Sequence, residues 1–122
     1  MSTADRLLGV VMDPIEGIHP KKDSTLAMLV AAQKRGWRVV YFRQQDLSVA
    51  GGVATGRGSQ LKVSLDPHKW FEHGNAWNGE LHALSALLMR KDPPFNMEYI
   101  YTTYILQLAQ ERGLLVVNSP SS

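Results

Sequence analysis

Cysteine is absent from all 122 residues. That removes disulfide scaffolds, thiolate zinc sites and cysteine nucleophiles from the possible chemistries. Long apolar runs are missing too: none approaches the roughly 18–20 residues that a membrane-spanning helix needs. The opening residues, Met1-Ser-Thr-Ala-Asp-Arg6, lack the basic-then-apolar order of a secretory leader. Charge of one sign is scarce, because the formal net charge is only +2 and the basic residues are scattered in pairs. A nucleic-acid binder would gather them on one face. Histidine is sparse and unclustered: His19, His68, His73 and His82 show no metal-ligand spacing on one helix face, and no Ser/His/Asp constellation can be argued. These absences predict a cytoplasmic protein with neither membrane nor nucleic acid as partner, and no metal ligands of its own.

What is present is ordinary globular material, with 44% hydrophobic and 20% charged residues on a length suited to one domain. The apolar run Leu7–Met12 reads as a buried strand stopped by Asp13-Pro14. A helix begins near Asp23-Ser24, either of which can cap it, and places Leu26, Leu29, Val30 and Gln33 on one face before Gly36 ends it. Trp37–Phe42 is the next strand, completing a βαβ unit with parallel strands and a right-handed crossover. From Leu47 to Leu65 the pattern changes. Gly51-Gly52 signals a hairpin, and Leu61, Val63 and Leu65 alternate with polar residues, so an antiparallel excursion at the sheet edge is expected. Pro67–Leu81 is hard to assign. Ala86–Met89 is again a buried strand. Asn96 is positioned to cap a helix with apolar positions Met97, Ile100, Tyr101, Tyr104, Ile105 and Leu108, and Leu114–Val117 forms a last strand after Gly113. The fold class is α/β: a mostly parallel sheet with helices on both faces and a β-hairpin elaboration.

Three segments bear on chemistry. Met89-Arg90-Lys91-Asp92-Pro93-Pro94-Phe95 ends a buried strand with charges and two prolines that fix the backbone. A loop of that kind at the carboxyl edge of an α/β sheet lies where ligands bind. Arg90 is suited to fork onto a carboxylate, with Asp92 as an acceptor; an Arg90–Asp92 pair that only shapes the loop stands as the alternative. Lys21-Lys22-Asp23-Ser24-Thr25 sets ammonium and hydroxyl groups at a helix N-terminus, which attracts anions, although on the residues alone capping by Ser24 or Asp23 with solvated lysines is the favoured explanation. Gly51–Gly58 has the glycine spacing of a phosphate loop, but Arg57-Gly58 stands where Lys and Ser/Thr are required, and a strand pattern follows instead of a helix. It reads as turns.

Taken in order, Val11-Met12-Asp13-Pro14, Lys21-Lys22-Asp23-Ser24 leading into Ala27-Met28-Leu29, Leu88–Phe95, Tyr101-x-x-Tyr104-Ile105-Leu106 and Val117-Asn118-x-Pro120 resemble the N-terminal domain of bacterial glutathione synthetase. The resemblance runs along nearly the whole chain and implies a Rossmann-like pre-ATP-grasp domain over residues 1–118, with 119–122 beginning a linker to an absent ATP-grasp domain. It implies a ligase in which Mg²⁺-ATP activates γ-glutamylcysteine as an acyl phosphate for attack by glycine. ATP and Mg²⁺ would be held mainly by the absent domains, so this fragment alone is expected to be inactive, with no catalytic residue of its own. By analogy Asp13, Lys21, Ser24, Arg90, Lys91 and Asp92 face the shared cleft and bind substrate. A homo-oligomer is also implied. Two other readings stay open: a stand-alone α/β module binding a ligand or partner, and the equivalent domain of another ATP-grasp ligase.

Overall fold

The computed structural model describes residues 6–90 and 97–118. The expected cap Asn96 lies outside the described residues, as does the run Lys91–Phe95. The elements are β1 (Leu7–Val11), α1 (Ser24–Lys34), β2 (Arg38–Phe42), β3 (Leu47–Ala50), β4 (Val53–Val63), β5 (Phe71–Glu80), β6 (Ala86–Met89), α2 (Met97–Glu111) and β7 (Leu115–Asn118), with short 3₁₀ turns at Ile15–Gly17, Gln44–Asp46 and Leu81–Ala83.

β1 is flanked by β2 and β6, both parallel to it, and β7 adds in parallel beyond β6. The apolar run of β1 requires cover on both faces, as central parallel strands do. Its side chains alternate accordingly. Leu8, Val10 and Met12 pack in one core cluster with Leu26, Leu29 and Val30 of α1, whereas Val11 joins a second with Ile105, Leu106 and Ala109 of α2. The expected βαβ unit is therefore present, with Asp23 as the cap: its Oδ1 accepts from Leu26 N–H at 3.0 Å. Gln33, on the apolar face of α1, turns its amide to the sheet instead of to water. Its Nε2 donates to Val63 C=O at 2.8 Å and its Oε1 accepts from Val63 N–H at 2.9 Å, locking α1 to the end of β4.

The excursion is antiparallel, as expected. β3 and β4 form a hairpin whose two-residue turn is Gly51-Gly52, with φ of 59° and 79°, the left-handed values that a primed turn demands and glycine tolerates. β4 also pairs antiparallel with β2 and with β5, which accounts for the stretch that sequence alone leaves unassigned. Leu61 and Val63 point inward, but Leu65 is 54% exposed. The chain has left the strand by then, turning where Ser64 Oγ donates to Lys69 C=O and Asp66 Oδ1 accepts from His68 N–H.

The apolar stripe expected for α2 needs correction. Met97, Ile100, Tyr101 and Tyr104 are all more than half exposed. The buried positions are Thr102, Ile105, Leu106 and Ala109, which keep the i, i+3, i+4, i+7 spacing of a core-facing helix. Two apolar stripes share this helix, and the one containing small Ala109 and Thr102 sits closest to the sheet.

Candidate functional site

Side chains alternate along β6, with Ala86 and Leu88 in the cluster that contains α1 and Leu87 and Met89 in the other. By that period of two, Arg90 points toward α1. Its backbone is held in line, because Arg90 N–H donates to Val11 C=O at 2.8 Å, continuing the β1–β6 ladder one step. The guanidinium then reaches the first turn of α1. Nε donates to Thr25 Oγ1 and Nη2 to Ser24 Oγ, each at 2.9 Å. Arg90 Nη1 is buried and has no hydrogen-bond partner among the described residues.

This placement has an electrostatic consequence. The N-terminus of a helix carries partial positive charge, and a cation there is disfavoured by roughly 0.3–1 kcal/mol. Asp23 at the cap offsets part of that, and the two hydroxyls accept from Arg90, but the corner as a whole remains rich in donors. It is a geometry that a carboxylate or phosphate would complete.

Of the residues singled out in the sequence, Arg90 and Ser24 are in direct contact. Thr25 joins them and is buried; the sequence reading counts its hydroxyl among the groups at the helix N-terminus but leaves it out of the substrate set. Asp13 lines an adjacent cavity of about 450 Å³ with Pro14, His19, Lys22 and Asp23. Lys22, not Lys21, lines it, while Lys21 is exposed on the turn before α1. Lys91 and Asp92, and with them the alternative Arg90–Asp92 pair, lie outside the described residues.

The loop from β1 to α1 is pinned at Ile15, which is fully buried. Ile15 N–H donates to Tyr41 Oη at 3.2 Å, and Trp70 Nε1 donates to Ile15 C=O at 2.9 Å. Both partners come from distant parts of the chain, so the antiparallel excursion helps fix the loop that carries Asp13. A histidine contact also emerges that sequence spacing hid: Ser59 Oγ lies 2.9 Å from His73 Nδ1, and His73 Nε2 lies 3.5 Å from Glu16 Oε2.

Neither a metal-binding histidine–carboxylate cluster nor a phosphate loop lies among the described residues. No group of three or more His, Asp or Glu there could hold a metal ion. Gly56 and Gly58 lie inside β4, not at the start of a helix where a phosphate loop would need them. Nor is any described helix long and apolar enough to cross a membrane.

Residues 7–122 match the family described as prokaryotic glutathione synthetase, N-terminal domain. Similar proteins include the glutathione synthetases of Pseudomonas syringae pv. tomato, 56% identical, and Shewanella oneidensis, 53% identical, each over 115 residues that make up 94% of this chain and 36% of the relative. The glutathione synthetase of Pseudomonas putida is 55% identical over the same share. The chain thus spans little more than a third of the length of these relatives. On that match, together with the α/β fold, the chain belongs to the family of prokaryotic glutathione synthetase N-terminal domains.

Proposed function

We propose that this domain is the substrate-side part of an ATP-dependent ligase that joins γ-glutamylcysteine to glycine. In such a reaction the cysteinyl carboxylate is activated as an acyl phosphate, and the glycine amine displaces phosphate to form the amide. The domain's own contribution is recognition. Arg90 supplies a forked cation at the carboxyl edge of β6, Ser24 and Thr25 fix its orientation, and the α1 N-terminus adds backbone donors, a combination that suits the dipeptide carboxylate. Lys91 and Asp92, next to Arg90 in sequence, and Asp13 and Lys21 on the facing loop complete the proposed substrate set. ATP and Mg²⁺ would be held chiefly by the part of the ligase beyond residue 118, with residues 119–122 starting the connection; the domain alone would then be inactive.

The single observation behind this reading is the Arg90 guanidinium held at 2.9 Å from both Ser24 and Thr25, in a chain of this family. Kinetics of a full-length ligase carrying this domain test it. Arg90→Ala should raise KM for γ-glutamylcysteine by about tenfold or more, the scale of a lost charge-assisted hydrogen bond, and leave KM for ATP close to its original value. Unchanged constants for both substrates would remove Arg90 from the site.

A further inference from the structure

Ser59, His73 and Glu16 form a chain of polar contacts that substrate recognition by Arg90 leaves unused. Ser59 Oγ lies 2.9 Å from His73 Nδ1, and His73 Nε2 lies 3.5 Å from Glu16 Oε2. The carboxylate selects the tautomer of the neutral ring. Nε2 carries the hydrogen that Glu16 accepts, so Nδ1 presents a lone pair and accepts from the Ser59 hydroxyl. A hydroxyl, a base and an acid that orients the base follow in order, the arrangement that activates a nucleophile.

The three residues come from separate elements and meet on one wall. Ser59 stands opposite Tyr41 on the β2–β4 ladder, so both side chains leave the same face of the sheet. Arg57, two positions earlier on β4, shares that face. The β4–β5 register shifts between Ser59 and Leu61, an irregularity of the kind that re-aims a side chain, and His73 of β5 comes to lie against Ser59. Glu16 arrives on the β1–α1 loop, which is pinned at neighbouring Ile15 by Tyr41 and Trp70. Tyr41, Arg57, Ser59, His73 and Glu16 all line one cavity of about 340 Å³. Water reaches it, because the His73 and Glu16 side chains are 41% and 59% exposed.

Attack on a carbonyl also needs donors for the negative charge that develops on oxygen. Two stand on the same wall. Tyr41 is buried and its hydroxyl accepts from Ile15 N–H, which leaves the hydroxyl proton without an acceptor among the described residues. Burial disfavours the phenolate and raises its pKa above the ordinary value, so the group stays a donor at neutral pH. Arg57 is exposed on β4, and its guanidinium has no partner among the described residues. Arg43, by contrast, is engaged by Asp46.

We propose that this wall hydrolyses small carboxylic esters, with Ser59 as nucleophile, His73 as general base and Tyr41 and Arg57 as donors to the oxyanion; Glu16 is a positioning residue. Ser59 Oγ bonds to the ester carbonyl carbon while its proton passes to His73 Nδ1. The ester C–O bond then breaks, and that proton leaves with the alcohol. Water attacks the acyl-Ser59 carbonyl, giving a proton to His73. The C–Oγ bond breaks, the proton returns to Ser59, and the carboxylic acid departs. The cavity is at the low end in size for small-molecule sites, which favours a short acyl group. This activity is separate from the ligase role proposed above and does not rest on it.

Hydrolysis of p-nitrophenyl acetate by the full chain, with mass spectrometry to locate the acyl group, tests the proposal. Acetyl should appear on Ser59. Ser59→Ala and His73→Gln should each lower kcat/KM by about a hundredfold, whereas His68→Gln, in an exposed turn, should leave it unchanged. Glu16→Gln should lower kcat with little change in KM, because an amide can donate to Nε2 and move the ring hydrogen to Nδ1; a merely structural contact would leave kcat alone. Arg57→Ala, an exposed change, should cost about tenfold or more. Circular dichroism establishes that each variant is folded, and if Ser59→Ala is not, the acetyl position in the native chain decides. Acetyl absent from native Ser59, or folded Ser59→Ala hydrolysing at the native rate, would overturn the proposal. Ser59 acetylated as fast in His73→Gln as in the native chain would overturn it too, since the base would then do nothing.

Discussion

Gln33→Met offers a clean perturbation of the helix that presents the Arg90 site. The replacement keeps the length and much of the volume of the side chain, but strands both backbone groups of Val63. In the native protein those groups are paired at 2.8 and 2.9 Å in a part-buried setting. Each bond contributes on the order of 0.5–1.5 kcal/mol net, and a group left unpaired out of water costs about 1–3 kcal/mol. Part exposure lets water reach the stranded groups, and methionine gains apolar contact, so a loss of about 1–3 kcal/mol is the reasonable sum. For a domain of this length that corresponds to a midpoint lower by very roughly 4–12 °C. Urea and thermal denaturation followed by circular dichroism measure it directly. A change under about 0.5 kcal/mol, the scatter of an unremarkable surface substitution, would refute the claim that this amide locks α1 to β4.

Other substitutions probe separate features. Ile105→Ala should cost about 2–5 kcal/mol in denaturation, as for a fully buried side chain, while Ile100→Ala should stay within about 0.5 kcal/mol; the reverse order would mean that the exposed stripe of α2 faces the core. Asp23→Ala should lose about 0.5–2 kcal/mol with the N-cap bond to Leu26, detectable as a lower denaturation midpoint. Tyr41 carries a pH dependence whose sign follows from its raised pKa. The folded state holds the phenolic proton more tightly than the unfolded chain, so the contribution is complete below the ordinary tyrosine value of about 10 and fades as pH rises through the folded value. Stability measured against Tyr41→Phe should therefore narrow in strongly alkaline solution; a constant difference across that range would contradict the burial.

Much of the framework could be read from the chain because local signals agreed with one another. Continuous apolar runs marked β1, β2 and β6, the Asp23 cap and Gly36 stop bracketed α1, and Gly51-Gly52 fixed the hairpin turn. β5 escaped notice because its residues alternate weakly and most are exposed. Its pairing is supplied by β4, and no local pattern encodes a long-range ladder. α2 was legible as a helix but not in its rotation: two apolar stripes compete, and packing against the sheet chose Thr102 and Ala109 over larger Tyr101 and Tyr104. In the site, Arg90 and Ser24 drew attention as residue types in suggestive places, but their contact bridges 66 positions. The Ile15 clasp and the His73 contact with Ser59 and Glu16 were illegible for the same reason. Each joins the β1–α1 loop to strands or turns far along the chain, and spacing in the sequence carries no trace of that distance.

Calorimetric titration of this chain with γ-glutamylcysteine, glycine and Mg²⁺-ATP, each added separately, tests the recognition role most directly. A substrate-side domain should give heat with γ-glutamylcysteine, diminished in Arg90→Ala, and none with the nucleotide. Heat with Mg²⁺-ATP and silence with the dipeptide would place nucleotide binding in this domain and contradict the division of labour proposed for it.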